Sequence, residues 1–197
     1  MLDYYLELSK KESDYLLYEE PMGTVSGVQT QIPVLLSEYQ FQSKEDVDAY
    51  LELMKTTPDY FNSLIAFEQE KAQKGLFMAS YTADTVIEQC QAFIDMGDSN
   101  YLISTFVDRI QKLTDLSESE KSDYIQKNAY MLQTYVLPAY QQLIKTVVEL
   151  KDSGKNEEGL CYLPNGKEYY ELTVQASTGS ARTVSSITET DKESNER

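Results

Sequence analysis

Apolar residues recur at spacings of three and four along nearly the whole chain, and most such stretches are closed by a glycine or a proline. A period near 3.6 puts those side chains on one stripe of a helix, whereas a half-buried strand needs alternation in twos. No convincing pair of period-two segments occurs, and no internal repeat of fixed length. The pattern predicts an all-α fold, an irregular array of about seven to nine helices.

The segments carry their own punctuation. Residues 1–20 hold Leu2, Tyr5, Leu6, Leu16 and Leu17 among acids and lysines, and Pro21 ends them. Pro33 suits the first turn of a helix, where its missing N–H matters least. Ser43 with Asp46 resembles a capping box, and Val47, Tyr50, Leu51 and Met54 continue one apolar face. Thr57 as cap and Pro58 at the first helical position open a helix carrying Phe61, Leu64, Ile65 and Glu68, stopped at Gly75. Thr82 precedes a helix that buries Val86, Ile87, Cys90, Phe93 and Ile94 and ends at Gly97. Leu102, Ile103, Phe106 and Ile110 mark a shorter one. Ser117 with Glu120 is a second capping box, opening the longest segment, which runs to about Lys151. Pro138 lies inside that segment and predicts a kink or a break near Leu137.

Beyond Gly154 the texture changes. A loop with a turn at Pro164-Asn165-Gly166 leads into a last short helix over 167–176, closed by Thr178-Gly179. The 154–167 stretch is where a short hairpin would fit best. From Thr188 onward the residues are polar and have no apolar face to bury. The expected organisation is a single helical domain over 1–187, followed by a disordered tail over 188–197.

Lys and Arg total 17 against 33 Asp and Glu, a net charge of -16. Such a field repels phosphate backbones and anionic lipid, so neither nucleic acid nor a membrane surface is expected as a partner. The acids themselves read as solvated helix faces. No apolar run approaches the roughly 20 residues of a transmembrane helix. Asp3 stands where a signal peptide needs a basic region, so the chain reads as soluble, with no address label of its own.

The chain has no histidine. That removes the H-E-x-x-H zinc helix and the Ser-His-Asp and Cys-His nucleophilic sets. Phosphate loops, G-x-S-x-G, S-x-x-K and EF-hand spacing are also absent. Glu68 and Glu70, like Glu118 and Glu120, are two apart and point to different helix faces, so spacing alone pairs neither set. Cys90 and Cys161 lack neighbours at metal-ligand spacing and read as two buried free thiols, a lone disulfide being the alternative. The 16 tyrosines suggest a carbohydrate platform or peptide groove, yet half-buried packing accounts for most of them. No catalytic residue and no metal ligand is predicted.

Five ordered motifs resemble a known family. They are Gly27-Val28-Gln29-Thr30-Gln31-Ile32-Pro33-Val34-Leu35-Leu36-Ser37-Glu38-Tyr39, Thr57-Pro58-Asp59-Tyr60-Phe61, Lys74-Gly75-Leu76-Phe77-Met78 and Val136-Leu137-Pro138-Ala139-Tyr140. The fifth is Gly159-Leu160-Cys161 followed by Leu163-Pro164-Asn165-Gly166-Lys167-Glu168-Tyr169-Tyr170, with Ser177-Thr178-Gly179 behind it. In order and spacing they are similar to the bacterial domain-of-unknown-function 885 family, to about Ile187.

That family looks like a branch of zincin-like metallopeptidases, mostly helical, with an H-E-x-x-H-type helix in the C-terminal half. The resemblance implies that this chain matches the middle, non-zinc portion. Zinc is then implied only for the complete family protein, and no cofactor for this chain. The expected function is a non-catalytic helical portion of a zinc-metallopeptidase-like protein of unknown substrate, forming scaffold or substrate-cleft wall. The other reading is a stand-alone helical interaction module with no enzymatic role. Partners implied by the resemblance are the missing N- and C-terminal parts of the parent, and a peptide substrate. Faces meeting those parts would be apolar yet exposed: Val34-Leu35-Leu36 with Tyr39, and 160–163 running into Tyr169-Tyr170. Lys167, Tyr169 and Tyr170 are the candidate cleft residues, since they follow a turn and combine a cation with two hydroxyls. The bland alternative is that these side chains fill the domain's own core.

Overall fold

Each apolar stripe becomes a helix, and the helices close over one large core and one small one. The computed structural model describes residues 2–195, with side chains through Glu189. Its helices are α1 (Leu2–Ser13), α2 (Val28–Glu38), α3 (Lys44–Lys55), α4 (Thr57–Gln73), α5 (Ser80–Asp95), α6 (Tyr101–Ile110), α7 (Glu118–Met131), α8 (Leu137–Leu150), α9 (Gly166–Thr178) and α10 (Val184–Asn195). A π turn, Leu132–Val136, joins α7 and α8 into one rod, so the ten α segments make nine rods among the described residues. No strand occurs among the described residues, and 154–167 holds a 3-10 turn, Leu160–Tyr162, rather than a hairpin. No helix there is long and apolar enough to cross a membrane.

α8 forms the centre, packed against α4 and α5, while α3 and α6 pack on α7 and α2 leans on α5 and α6. Tyr50, Phe61, Phe77, Phe106 and Tyr140 are fully buried in the main core. A second cluster of Tyr18, Leu76 and Leu163, with Tyr15, Leu17, Leu160 and Tyr169 around it, ties the start of the chain to α9. α1 itself lies along α9.

Local signals were largely obeyed. Both capping boxes form: Ser43 with Asp46, and Ser117 with Glu120. Val47, Tyr50, Leu51 and Met54 are all buried, as are Phe61, Leu64, Ile65 and Glu68. Gly75 ends α4 with φ +70, a left-handed conformation that suits glycine.

Several local expectations need correction. Thr56, not Thr57, stands at the cap position of α4, and its hydroxyl donates to the Leu53 carbonyl at 2.7 Å, closing α3 instead. α5 begins at Ser80 rather than after Thr82. The Glu157 carboxylate accepts from the Ser80 N–H at 2.6 Å, so the cap comes from a distant loop. Pro33 lies inside α2, not in its first turn. A proline there leaves the carbonyl four residues back, that of Gln29, without its helical donor. The buried Tyr140 hydroxyl supplies the missing bond to that carbonyl at 2.7 Å.

Pro138 acts as expected on its helix but without breaking it. It lacks the N–H that would reach Thr134, and the chain accommodates this by widening into the π turn immediately before α8. Cys161, expected to be buried, is exposed, while Cys90 is buried, and both thiols are free. The polar stretch expected to be disordered from Thr188 continues α10, whose described side chains, through Glu189, include none that is buried. Residues 196 and 197 of that expected tail lie outside the described residues.

Candidate functional site

Three features stand apart from ordinary core. The first is an apolar groove where α2, the end of α3 and the start of α4 meet, about 440 Å³ in volume. Ile32, Leu36 and Thr57 form its floor, and Leu35, Leu53 and Tyr60 its rim. Leu35 is 65% exposed and the adjacent Val34 46%, whereas Leu36 is buried and Tyr39 half-buried. α2 is held in place from behind by Arg109. Its guanidinium donates to the Leu36 and Tyr39 carbonyls at 2.9 and 2.6 Å and lies over the rings of Phe41 and Tyr50. These bonds satisfy carbonyls at the open end of α2. Sequence reasoning missed Arg109; its place on the α6 turn gives no sign of α2 nearby.

The second feature is a tyrosine cluster. Tyr15 and Tyr169 stack with centroids 5.5 Å apart, and Tyr18 packs against Tyr169 at 4.7 Å. The Tyr18 hydroxyl donates to the Pro164 carbonyl, which pins the turn before α9. Tyr169 therefore faces a groove between α1 and α9. Lys167 and Tyr170 lie three apart on another face of α9 and are exposed. Of the three candidates, Tyr169 lines that groove, whereas Lys167 and Tyr170 do not.

The third feature is a buried ion cluster on α4. Lys71 is wholly buried and donates to the Glu19 carbonyl at 2.6 Å. Its ammonium lies 3.4 Å from Glu20 and 3.7 Å from Glu68. Burial pushes the Glu68 carboxyl up to about 7, Lys71 opposing that and Glu20 adding to it. Glu68 stood on the stripe read as buried, but Lys71 was not singled out from the sequence. Its partners at residues 19 and 20 arrive only through the fold.

The donor chemistry does not fit zinc. No group of three or more His, Cys, Asp or Glu among the described residues is placed to hold a metal ion. Burial raises the Cys90 thiol to about 12, so it is not a ready thiolate ligand.

The model of the family described as "Bacterial protein of unknown function (DUF885)" matches residues 1–197. The chain belongs to the DUF885 family. No curated protein matches it. Among solved structures it is similar to a Colwellia psychrerythraea protein described as a "putative lipoprotein", with a TM-score of 0.80 and 18% identity. The match covers 85% of this DUF885 chain and 29% of the other. At that identity the likeness concerns the fold. The chain thus corresponds to about 29% of the length of that structural relative.

Proposed function

We propose that this chain is a non-catalytic helical portion of a larger DUF885 protein, serving as scaffold and as part of a cleft wall. The observation that carries this reading is the apolar groove on α2–α4, rimmed by exposed Leu35, Leu53 and Tyr60. Exposed apolar patches of this kind are typically covered by a partner or used for binding. The long structural relative, of which this chain spans 29%, supports such a partner within a larger protein.

The family resemblance extends the reading to a zinc peptidase acting on peptides, with its metal outside this chain. Here the chain would supply no zinc ligand, because it has no histidine. Its part would be to hold neighbouring elements and to shape a cleft, with Lys167, Tyr169 and Tyr170 as candidate wall residues.

The test uses 8-anilinonaphthalene-1-sulfonate fluorescence on the purified chain. The chain should bind the dye at the groove, and Leu35→Glu should abolish most of that signal without lowering the melting temperature. Absence of dye binding, with a strictly monomeric chain at high concentration, would instead support a stand-alone module.

A further inference from the structure

We propose that the groove between α1 and α9 binds an organic cation, an alkylammonium or guanidinium group, against Tyr15 and Tyr169 and between the carboxylates of Glu12 and Glu19. The groove has a volume of about 450 Å³, within the range of small-molecule sites. Its aromatic floor is already ordered. Tyr169 is stacked on Tyr15 and backed by Tyr18, whose hydroxyl is engaged by Pro164. Aromatic rings attract cations through their quadrupole, and nearby carboxylates add a directional charge.

The charge around the groove is one-sided. No basic residue lines it. Neither Glu12 nor Glu19 has an ion-pair partner among the described residues. Lys11 lies on the other side of Tyr15, in a recess it shares with Asp14, Glu168 and Glu171. Lys71, a buried cation on α4, is engaged by the Glu19 carbonyl and by Glu20 and Glu68. That same bond fixes the backbone from which the Glu19 side chain reaches the groove. The Tyr169 hydroxyl is raised above its ordinary value, first by burial and then by Glu19, with Glu20 and Glu12 contributing. The field of these acids converges on the ring that forms the floor.

A cation reaching this site would be a free amine or guanidine, or the side chain of a basic peptide. The proposal does not depend on the apolar α2–α4 groove that carries the scaffold reading, although it shares Tyr169 with the candidate wall residues.

Calorimetric titration in 0.15 M salt tests it, with agmatine and a Gly-Arg-Gly peptide as the two probes. An uncharged Gly-citrulline-Gly peptide is the control. Saturable one-to-one binding is expected, at least tenfold weaker for the citrulline peptide. Tighter binding of agmatine assigns the site to a free small molecule, and tighter binding of the peptide to a polypeptide side chain. Glu12→Gln with Glu19→Gln should weaken binding at least tenfold at unchanged melting temperature. Glu88→Gln with Asp98→Asn changes net charge equally and should leave affinity within twofold. Tyr169→Phe keeps the ring and should keep binding. Equal weakening by both double variants would reduce the effect to the general acidity of the chain and overturn the proposal. So would the absence of saturable heat from either probe.

Discussion

Burial lifts the Glu68 carboxyl to about 7, and the linked change in stability has a definite sign. Between pH 4.5 and 7 the folded chain keeps a proton on Glu68 that the unfolded chain releases. The stabilisation tied to that proton is fully present below the unfolded value and is lost as pH rises through the folded one. The loss is on the order of 3 kcal/mol for this group. The urea midpoint should therefore fall from pH 5 to pH 7.5, and Glu68→Gln should flatten that slope; a midpoint that rises through the window in the native chain would refute the assignment. Carboxyls held low, such as Glu120 at about 2 through the Ser117 N–H, lose their contribution only at more acid pH. Lys71→Met removes the cation from Glu68 and Glu20 and strips the Glu19 carbonyl of its donor. Breaking a buried pair from one side costs about 3 kcal/mol or more. Chemical denaturation should show that loss in Lys71→Met and a smaller loss in the Glu68→Met, Lys71→Met double variant. The burial of Glu68 was legible from its place on the Phe61, Leu64, Ile65 stripe. The identity of its environment was not, because Glu20 comes from outside that helix.

Helices here start and stop partly on groups from other elements. α3 and α7 carry complete capping boxes within four consecutive residues, so their starts could be read directly. The start of α5 could not, since Glu157 reaches Ser80 across a separation of 77 residues. Pro33 shows the same dependence inside a helix. Its cost is offset by a tyrosine hydroxyl arriving from α8. Tyr140→Phe should lose about 1–3 kcal/mol, the penalty for a buried carbonyl left unpaired. In a Pro33→Ala background the new N–H can reach Gln29, and the loss on Tyr140→Phe should shrink. A double-mutant cycle from thermal or urea unfolding measures the coupling. An unchanged loss in the alanine background would separate the two residues and remove this account of why α2 tolerates its proline.

At the scale of the whole molecule, α8 organises the main core, while α1 and α9 enclose the smaller tyrosine cluster. No described set of side chains is arranged for a metal. EDTA should accordingly leave helical circular dichroism and the melting temperature unchanged, and metal analysis should find no stoichiometric zinc. One tightly held zinc per chain, or a melting temperature that drops on chelation, would contradict this. The apolar groove on α2–α4 belongs to this scale too, since three helices contribute to it. Exposure of Leu35 beside buried Leu36 was anticipated only as a joint patch. The helical phase separates the two residues, and the packing of α2 decides which one faces the core.

Periodicity and caps, which act within a few residues, determined the helical class, the stripes that became the core and most helix ends. Close to the backbone, the Ser43 and Ser117 boxes and the Gly75 stop are complete in the local sequence. Tertiary structure alone decided the fate of groups whose partners lie far along the chain. It brought Tyr140 to the carbonyl above Pro33, Glu157 to the start of α5, Glu20 to Lys71 and Tyr169 to Tyr15. The physical reason is range. A hydrogen bond or an apolar stripe within one helix follows from spacing along a known geometry, whereas a carboxylate's charge, an orphan carbonyl or a groove depends on which surfaces the assembled helices bring together.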